Sequence, residues 1–261
     1  MVTNGCSLVG ILNVTPDSFS DGGTFVDPEA VVVRVVQMVS ERATVIDIGA
    51  ESTRPGATPL THEEEWLRLE PILRAVLTHV ACEISVDTRH PQTAEKALAL
   101  GVHWINDVSG FSQQMVDVVK NSKCRLVVMH SLSVPARKDL VFDETVDVVE
   151  AVRDWCLEKL AMLERHGIAR ERIIFDPGIG FGKTAEQSMK LIERVSYLKV
   201  PGTQLLVGHS RKSFLTTLGI KSLAERDEAT GQLSAFLATQ GVDYVRVHNV
   251  AVNRLAMKML V

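Results

Sequence analysis

Short apolar runs in this chain keep breaking off at residues that can do chemistry. In order these are Asn13, Asp47, Asp87, Asn106 with Asp107, Met129 with His130, Asp176, Lys212 just past its run, and Arg246 with His248. Asp87, Asn106 and Asp176 supply acceptors, and Asn106 supplies donors as well. Such groups suit a flat heterocycle with amino and lactam edges. Lys212 can donate to a ring oxygen or nitrogen. A second, cationic set contains Arg54, Arg246 and His248, with the hydroxyls of Ser52 and Thr53. Arginine presents a planar fork that grips phosphate oxygens. Asn13 offers an uncharged oxygen suited to a hard cation such as Mg²⁺. Each residue alone has a plainer reading. Asp47 or Asp107 would cap a helix or hold a loop, and Arg246 would pair with Asp243 or a neighbouring carboxylate. That reading does not explain the whole set falling at run ends.

The elements that must position these residues alternate. Apolar stretches at Leu8–Leu12, Thr44–Ile48, Ile84–Thr88, Trp104–Asp107, Arg125–Met129, Arg172–Phe175, Gln204–Val207 and Tyr244–Val247 read as strands. Runs without alternating polarity are those of a parallel sheet buried on both faces. Between them lie helical stretches. Asp27-Pro28 is an N-cap and first-turn pair, and the valine-rich Val31–Val39 is helical only by those caps and its context. Thr61-His-Glu-Glu64 and Ser222-Leu-Ala-Glu225 are capping boxes, opening helices to about His79 and Gln240. Further helices are expected at Pro91–Leu100, Gln113–Lys120, Asp143–Glu164, Glu186–Tyr197 and Val250–Leu260, with a loop at His130–Leu140. Strand then helix, about eight times in roughly 250 residues without a linker, predicts an α/β fold: one (β/α)₈ TIM barrel domain over residues 1–261. Barrels of this kind carry their chemistry at the carboxyl ends of the strands. A doubly wound sheet is the fallback. A dinucleotide fold fits poorly, because the first strand-helix turn lacks G-x-G-x-x-G.

Composition narrows the function. The 261 residues are 46% hydrophobic and carry a net charge of −4, so a general nucleic-acid binder, which needs a basic surplus, is not expected. No apolar run is long enough to cross a bilayer, and Cys6, Cys82, Cys124 and Cys156 form no C-x-x-C. Reduced thiols and a cytoplasmic location are the expectation. Pro177-Gly-Ile-Gly-Phe-Gly-Lys-Thr184 looks like a phosphate loop, but Pro177 takes the first glycine position. His62-Glu-Glu-Glu-Trp66 lacks the second histidine of a zinc helix, the first strand has no metal-binding His pair, and there is no Gly-x-Ser-x-Gly elbow.

Five stretches together carry a resemblance. They are Asn13-Val-Thr-Pro-Asp-Ser-Phe-Ser-Asp-Gly-Gly23, Asp47-Ile-Gly-Ala-Glu-Ser-Thr-Arg-Pro-Gly56, Asp176-Pro-Gly-Ile-Gly-Phe-Gly-Lys183, Ser210-Arg-Lys-Ser213 and Arg246-Val-His248. The chain resembles dihydropteroate synthase from Leu8 to its end. The resemblance implies a transferase of folate biosynthesis that joins 6-hydroxymethyl-7,8-dihydropterin pyrophosphate to p-aminobenzoate. It implies pyrophosphate release, a Mg²⁺ requirement, inhibition by sulfonamides, and a homodimer formed through late barrel helices. Position by position, it places Asp87, Asn106, Met129, Asp176, Phe181 and Lys212 around the pterin. Asn13, Thr53, Arg54, Arg246 and His248 fall around the pyrophosphate, with Asn13 also at the metal. Phe19, Pro55, Phe181 and Ser213 fall around p-aminobenzoate. Asp17, Phe19, Asp21, Thr53 and Arg54, on two loops expected to close and exclude water, join Lys212 as catalytic residues. Two departures stand out: His130-Ser-Leu-Ser133 replaces the usual His-Met-Gln-Gly, and Asn249 replaces Asp. The second puts a helix cap in doubt. The alternatives are a non-catalytic pterin-binding paralogue and a pterin-dependent methyltransferase. The first should have lost loop or phosphate residues, and the first loop and Ser210–Ser213 argue against the second.

Overall fold

The computed structural model describes residues 5–15, 27–52, 56–137 and 139–259. Eight strands close into a barrel in sequence order, and every neighbouring pair is parallel. The strands are β1 (Ser7–Asn13), β2 (Ala43–Gly49), β3 (Glu83–Asp87), β4 (Trp104–Asp107), β5 (Arg125–Met129), β6 (Ile173–Asp176), β7 (Gln204–Val207) and β8 (Tyr244–Val247). Helices α1 (Pro28–Ser40), α2 (His62–His79), α3 (Pro91–Leu100), α4 (Gln113–Val119), α5 (Val148–Arg165), α6 (Ala185–Glu193), α7 (Phe214–Thr217), α8 (Leu223–Thr239) and α9 (Val250–Lys258) fill the connections.

The valines of α1 are resolved by burial rather than propensity. Val31, Val35 and Met38 are fully buried, while Val33 and Val36 face out. That spacing is one helical stripe, so packing overrides the β preference. Asp27 caps α1 by accepting from the Glu29 N–H at 3.0 Å, and both expected capping boxes form. Two expected helices are shorter. The one expected from Asp143 begins at Val148, capped by Asp147, which accepts from the Val149 N–H at 2.9 Å. Asp143 instead closes a local turn, accepting from the Thr145 N–H at 2.9 Å and from its hydroxyl at 2.6 Å. The one expected over Glu186–Tyr197 stops at Glu193 and passes into a 3₁₀ turn, Val195–Leu198. Its start is fixed by a third capping box, Thr184 with Gln187, which the sequence reading passed over.

The barrel is dry in two places. Between strands and helices runs one continuous apolar layer. Inside the barrel, Val9, Val45, Trp104, Val127, Ile174, Leu206 and Tyr244 form a separate plug. Successive side chains on a strand point to opposite faces. The next inward position on those strands is therefore two residues on: Ile11, Asp47, Asn106, Met129, Asp176, Gly208 and Arg246. The polar rim is the second inward layer of the same strands. All four cysteines are free thiols, and burial pushes Cys6 and Cys156 up to about 12. No helix among the described residues is long and apolar enough to cross a membrane.

Candidate active site

Asp47 is the hub of the polar layer. Its Oδ2 accepts from Arg246 Nε at 2.5 Å and from Asn106 Nδ2 at 3.0 Å. Arg246 Nη2 donates to Asp87 Oδ2 at 2.8 Å. Four residues from four strands, β2, β3, β4 and β8, are thus tied into one network inside the barrel. The sequence places Asp47 on the rim but gives it no role beyond a cap. The plainer reading of Arg246, an ion pair, describes its contacts here, but the partners are Asp47 and Asp87. Asp243 lies elsewhere, accepting from the Leu205 N–H at 2.8 Å. Burial raises Asp87, helped by the Asp47, Glu65 and Asp107 carboxylates and opposed by Arg246. Asp47 Oδ1 is buried with no hydrogen-bond partner among the described residues. An orphaned acceptor in this largely buried layer is ready for a ligand donor.

Asp176 completes the floor. Its Oδ1 accepts from the Gly178 N–H at 2.8 Å. Burial raises its pKa, against the pull of that amide and of Lys212, Arg246 and Lys183. Its other oxygen needs Gly208, since a Cβ there would stand 3.2 Å from Oδ2. Gly49 makes room in the same way for Asp87, whose Cβ would stand 3.2 Å from an added methyl. Met129 is buried with Val108, Ala136 and Phe181 in a small apolar cluster at this end. Lys212 Nζ sits 4.1 Å from the Phe181 ring centroid. That is cation–π distance and sets both groups at the mouth. His248 Nδ1 lies 2.9 Å from Ser210 Oγ, and the same oxygen accepts the His248 N–H at 3.2 Å. Ser210 orients the histidine, a role absent from the sequence reading.

Other rim residues turn out to hold loops. Asp107 accepts from the Ser109 N–H at 2.7 Å, the Ser109 hydroxyl at 2.6 Å and the Phe111 N–H at 3.0 Å. His130 points away from the network and into a buried contact with Lys183 at 2.8 Å. Ser131, Leu132 and Ser133, the departure after β5, line a side cavity of about 290 Å³ with Arg89, Ser109 and Val134. Ser213 is exposed and begins α7, a helix of only four residues. One turn carries little macrodipole, so an anion there would rest on the hydroxyl. Asn249 keeps the cap that was in doubt: Oδ1 accepts from the Val252 N–H at 3.2 Å, and Nδ2 donates to Asp227 at 2.9 Å. Asp17, Phe19, Asp21, Thr53, Arg54 and Pro55 lie outside the described residues.

For a metal, Asn13 ends β1 beside Gly49 and offers one neutral oxygen at the mouth. Mg²⁺ commonly takes one or two protein ligands and completes its shell with phosphates and water, so this donor fits only with substrate phosphate present. The group of described residues close enough to share an ion is Glu51, Glu65 and His90. Arg89 already binds both Glu51 oxygens, at 2.7 and 2.8 Å, which makes a cation there unfavourable. Glu65, pushed up to about 7 by burial, accepts from Thr88 Oγ1 at 2.7 Å.

Comparison with known proteins agrees with this geometry. Residues 9–248 match the family described as pterin binding enzymes. The folate synthesis bifunctional protein of Chlamydia caviae is 36% identical over 254 residues, covering 95% of this chain and 57% of that one. The chain thus spans little more than half of that relative. Dihydropteroate synthase of Escherichia coli is 35% identical over 254 residues, covering 97% of this chain and 90% of its own length. The structure of dihydropteroate synthase from Anaplasma phagocytophilum with bound 6-hydroxymethylpterin-monophosphate superposes with a TM-score of 0.88 at 36% identity, covering 98% of both chains. With a matching sequence along nearly its whole length and a polar layer set for a flat aminated ring, the chain belongs to the family of pterin binding enzymes.

Proposed function

We propose that this chain is a dihydropteroate synthase. It condenses 6-hydroxymethyl-7,8-dihydropterin pyrophosphate with p-aminobenzoate and releases pyrophosphate. The observation that carries the reading is the buried polar layer, where Asp47, Asp87, Asn106, Arg246 and Asp176 present donors and acceptors at the carboxyl end of the barrel.

In this reading the pterin lies flat on the apolar plug. Asp176 and Asn106 bind its amino and lactam edges, and Lys212 donates to a ring heteroatom. The bond that breaks joins pyrophosphate oxygen to the carbon on the pterin. Positive charge developing at that carbon spreads into the electron-rich ring, so the path is dissociative, and Asp87 favours the cationic ring. Asn13 would hold Mg²⁺ together with the pyrophosphate, and the ion would supply stabilisation of the leaving charge. Arg54 and His248 hold the same anion, with Arg246 adding its positive charge. The amine of p-aminobenzoate is neutral at pH 7 and attacks without a strong base. Phe19, Pro55, Phe181 and Ser213 border that substrate, and Asp17, Asp21 and Thr53 belong to the loops that exclude water, the competing nucleophile. Sulfonamides compete at the p-aminobenzoate position. The enzyme is cytoplasmic and works as a homodimer, for which Leu223 and Phe236 on α8, Leu255 on α9 and Met259 just after it offer large exposed apolar side chains.

The test is pyrophosphate release by the purified protein with the pterin pyrophosphate and Mg²⁺. Release that requires p-aminobenzoate and yields dihydropteroate supports the synthase. Pterin binding without condensation under any condition replaces it with a non-catalytic pterin binder.

A further inference from the structure

The glycine-rich stretch after β6 looks like a phosphate loop in sequence, yet its lysine points inward. Lys183 is 6% exposed. Its Nζ lies 2.8 Å from His130 Nδ1 and donates to the Phe181 carbonyl at 3.0 Å. No carboxylate among the described residues forms an ion pair with it. A buried ammonium without a counter-ion is costly, so an unpaired lysine kept here has work to do beyond filling space.

What it joins is informative. The His130 ring is held by its surroundings: it stacks on Phe142 at 5.5 Å and meets Trp155 edge-on at 5.0 Å. The backbone around it is just as constrained. Gly178, at φ +64, passes so close to the His130 carbonyl that a Cβ would stand 1.9 Å from its oxygen. Gly182 crosses Leu132 closely enough that a Cβ would stand 2.6 Å away. The loop after β6 is thus clamped to the loop after β5 on both sides of Phe181. Phe181 itself has its N–H on the Gly178 carbonyl at 3.0 Å and its carbonyl on Lys183. Its ring carries Lys212 at 4.1 Å.

We propose that Lys183 is a positioning residue for the second substrate. Its amine ties the Phe181 carbonyl to the immobilised His130 ring, and so sets where the Phe181 ring and the Lys212 ammonium stand at the barrel mouth. This rests on the synthase reading, in which that substrate is p-aminobenzoate. Asp87 and Asn106 hold the pterin from β3 and β4, and Asp176 holds it from the end of β6, where its Oδ1 already accepts from the Gly178 N–H, so loss of the tie should blur the second site and spare the first.

The tie is also sensitive to protonation. Burial pushes the Lys183 amine down to about 7, reinforced by Lys212 and opposed by Asp176. The other groups facing it are His130, pushed down to about 3 by burial, and Cys156, pushed up to about 12. Neither titrates near neutrality. As Lys183 loses its proton, charge-assisted bonds to Phe181 and His130 become weaker neutral ones.

The experiment measures KM for p-aminobenzoate, kcat, and pterin affinity by calorimetry for wild type, Lys183→Gln, Lys183→Met and Lys183→Arg. In Lys183→Met, KM for p-aminobenzoate should rise about tenfold while pterin affinity stays within threefold. Lys183→Gln, which still donates to the carbonyl, should recover part of that loss. Wild-type KM should rise from pH 7 to pH 9, and Lys183→Arg, which stays charged, should lack the rise. Equal losses in pterin affinity and KM overturn the proposal, as does an unchanged KM. Should Lys183→Met fold poorly, Lys183→Gln decides, since a KM for p-aminobenzoate equal to that of wild type in that variant contradicts the tie. A wild type that binds pterin but never condenses overturns the synthase reading instead. In that case p-aminobenzoate affinity of the protein loaded with pterin and pyrophosphate is compared between wild type and Lys183→Met, and equal affinity overturns the tie.

Discussion

The two inward layers of the barrel are built from the same strands and share almost nothing chemically. The lower layer is Val9, Val45, Trp104, Val127, Ile174, Leu206 and Tyr244. The upper layer, two residues further along, contains Asp47, Asn106, Asp176 and Arg246. A strand rises about 3.3 Å per residue, so the change from dry plug to charged network takes under about 7 Å. The lower layer gains by excluding water. The upper layer is stable only because its charges meet: Arg246 pairs with both Asp47 and Asp87 at 2.5 and 2.8 Å. Alone, each would be an uncompensated buried ion. The plug supplies a rigid floor, and the network supplies recognition.

That division is tested most severely at Asp176. Asp176→Ala removes an acceptor from the recognition layer, freeing the Gly178 N–H and removing the carboxylate that attracts Lys212, Arg246 and Lys183. Pterin affinity should fall at least about a hundredfold, since a pocket built on buried hydrogen bonds discriminates strongly when one is lost. Calorimetry with the pterin checks it, and unchanged affinity would remove Asp176 from the site.

Arg246→Met strikes the network itself. It strands Asp47 and Asp87 without a cation, and the loss of stability should be about 3–5 kcal/mol by urea unfolding. Adding Asp47→Asn and Asp87→Asn should restore much of it, without restoring activity. A single variant as stable as wild type would mean the pairs contribute nothing. In the lower layer, Ile174→Ala should cost about 2–4 kcal/mol while pterin affinity per folded molecule changes little. If both layers responded alike in binding, the separation of floor from recognition would be wrong.

How far the sequence revealed this arrangement differs by residue. The alternation of strands and helices, and the rim positions at strand ends, follow from local patterning, which is why the barrel was legible. The lumen's own two-residue rhythm was not. In β2, Val45, Ile46, Asp47 and Ile48 look like one apolar run interrupted by a single polar residue, because both faces of that strand are buried. Asp47 as hub needed three-dimensional neighbours: Arg246 is 199 residues away in sequence. His130 and Asp107 sit at strand ends as well, but their side chains serve loops, and strand position alone cannot separate those two uses. The inward Lys183 was hidden by a motif whose ordinary use is to face phosphate.

Glu65 sharpens the contrast from outside the barrel. It is a fully buried carboxyl on α2 whose Oε1 has no hydrogen-bond partner among the described residues, unlike Asp47 and Asp87 with their shared arginine. Burial raises it from 4.5 to about 7. Its folded value lies above its unfolded one, so its contribution to stability is complete below pH 4.5 and is lost as pH rises through 7. Glu65→Gln should remove that loss, leaving the variant more stable than wild type at pH 8 by on the order of 2 kcal/mol. Denaturation at pH 5 and pH 8 checks it. A wild type whose stability does not fall between the two relative to the variant would show that Glu65 is ionised in the fold.

The smallest effect is expected at Asn249, where a charge pair is completed by a neutral amide. Asp227 takes two bonds from Arg211, at 2.6 and 2.8 Å, and a third from Asn249 at 2.9 Å. Burial works against its ionisation, but Arg211 and Asn249 together hold it below the usual carboxylate range. Asn249→Asp, the residue that the resemblance leads one to expect, keeps an oxygen to cap α9. It also turns a donor into a second carboxylate facing Asp227. The cap term is conserved, so the change isolates the lost hydrogen bond and the repulsion, together about 1 kcal/mol at neutral pH. The deficit should shrink as pH is lowered through the carboxylate range and one of the two acids takes up a proton to bridge the pair. A variant equal to wild type at pH 7 would mean that Arg211 alone balances both charges, and that the amide is there for the cap.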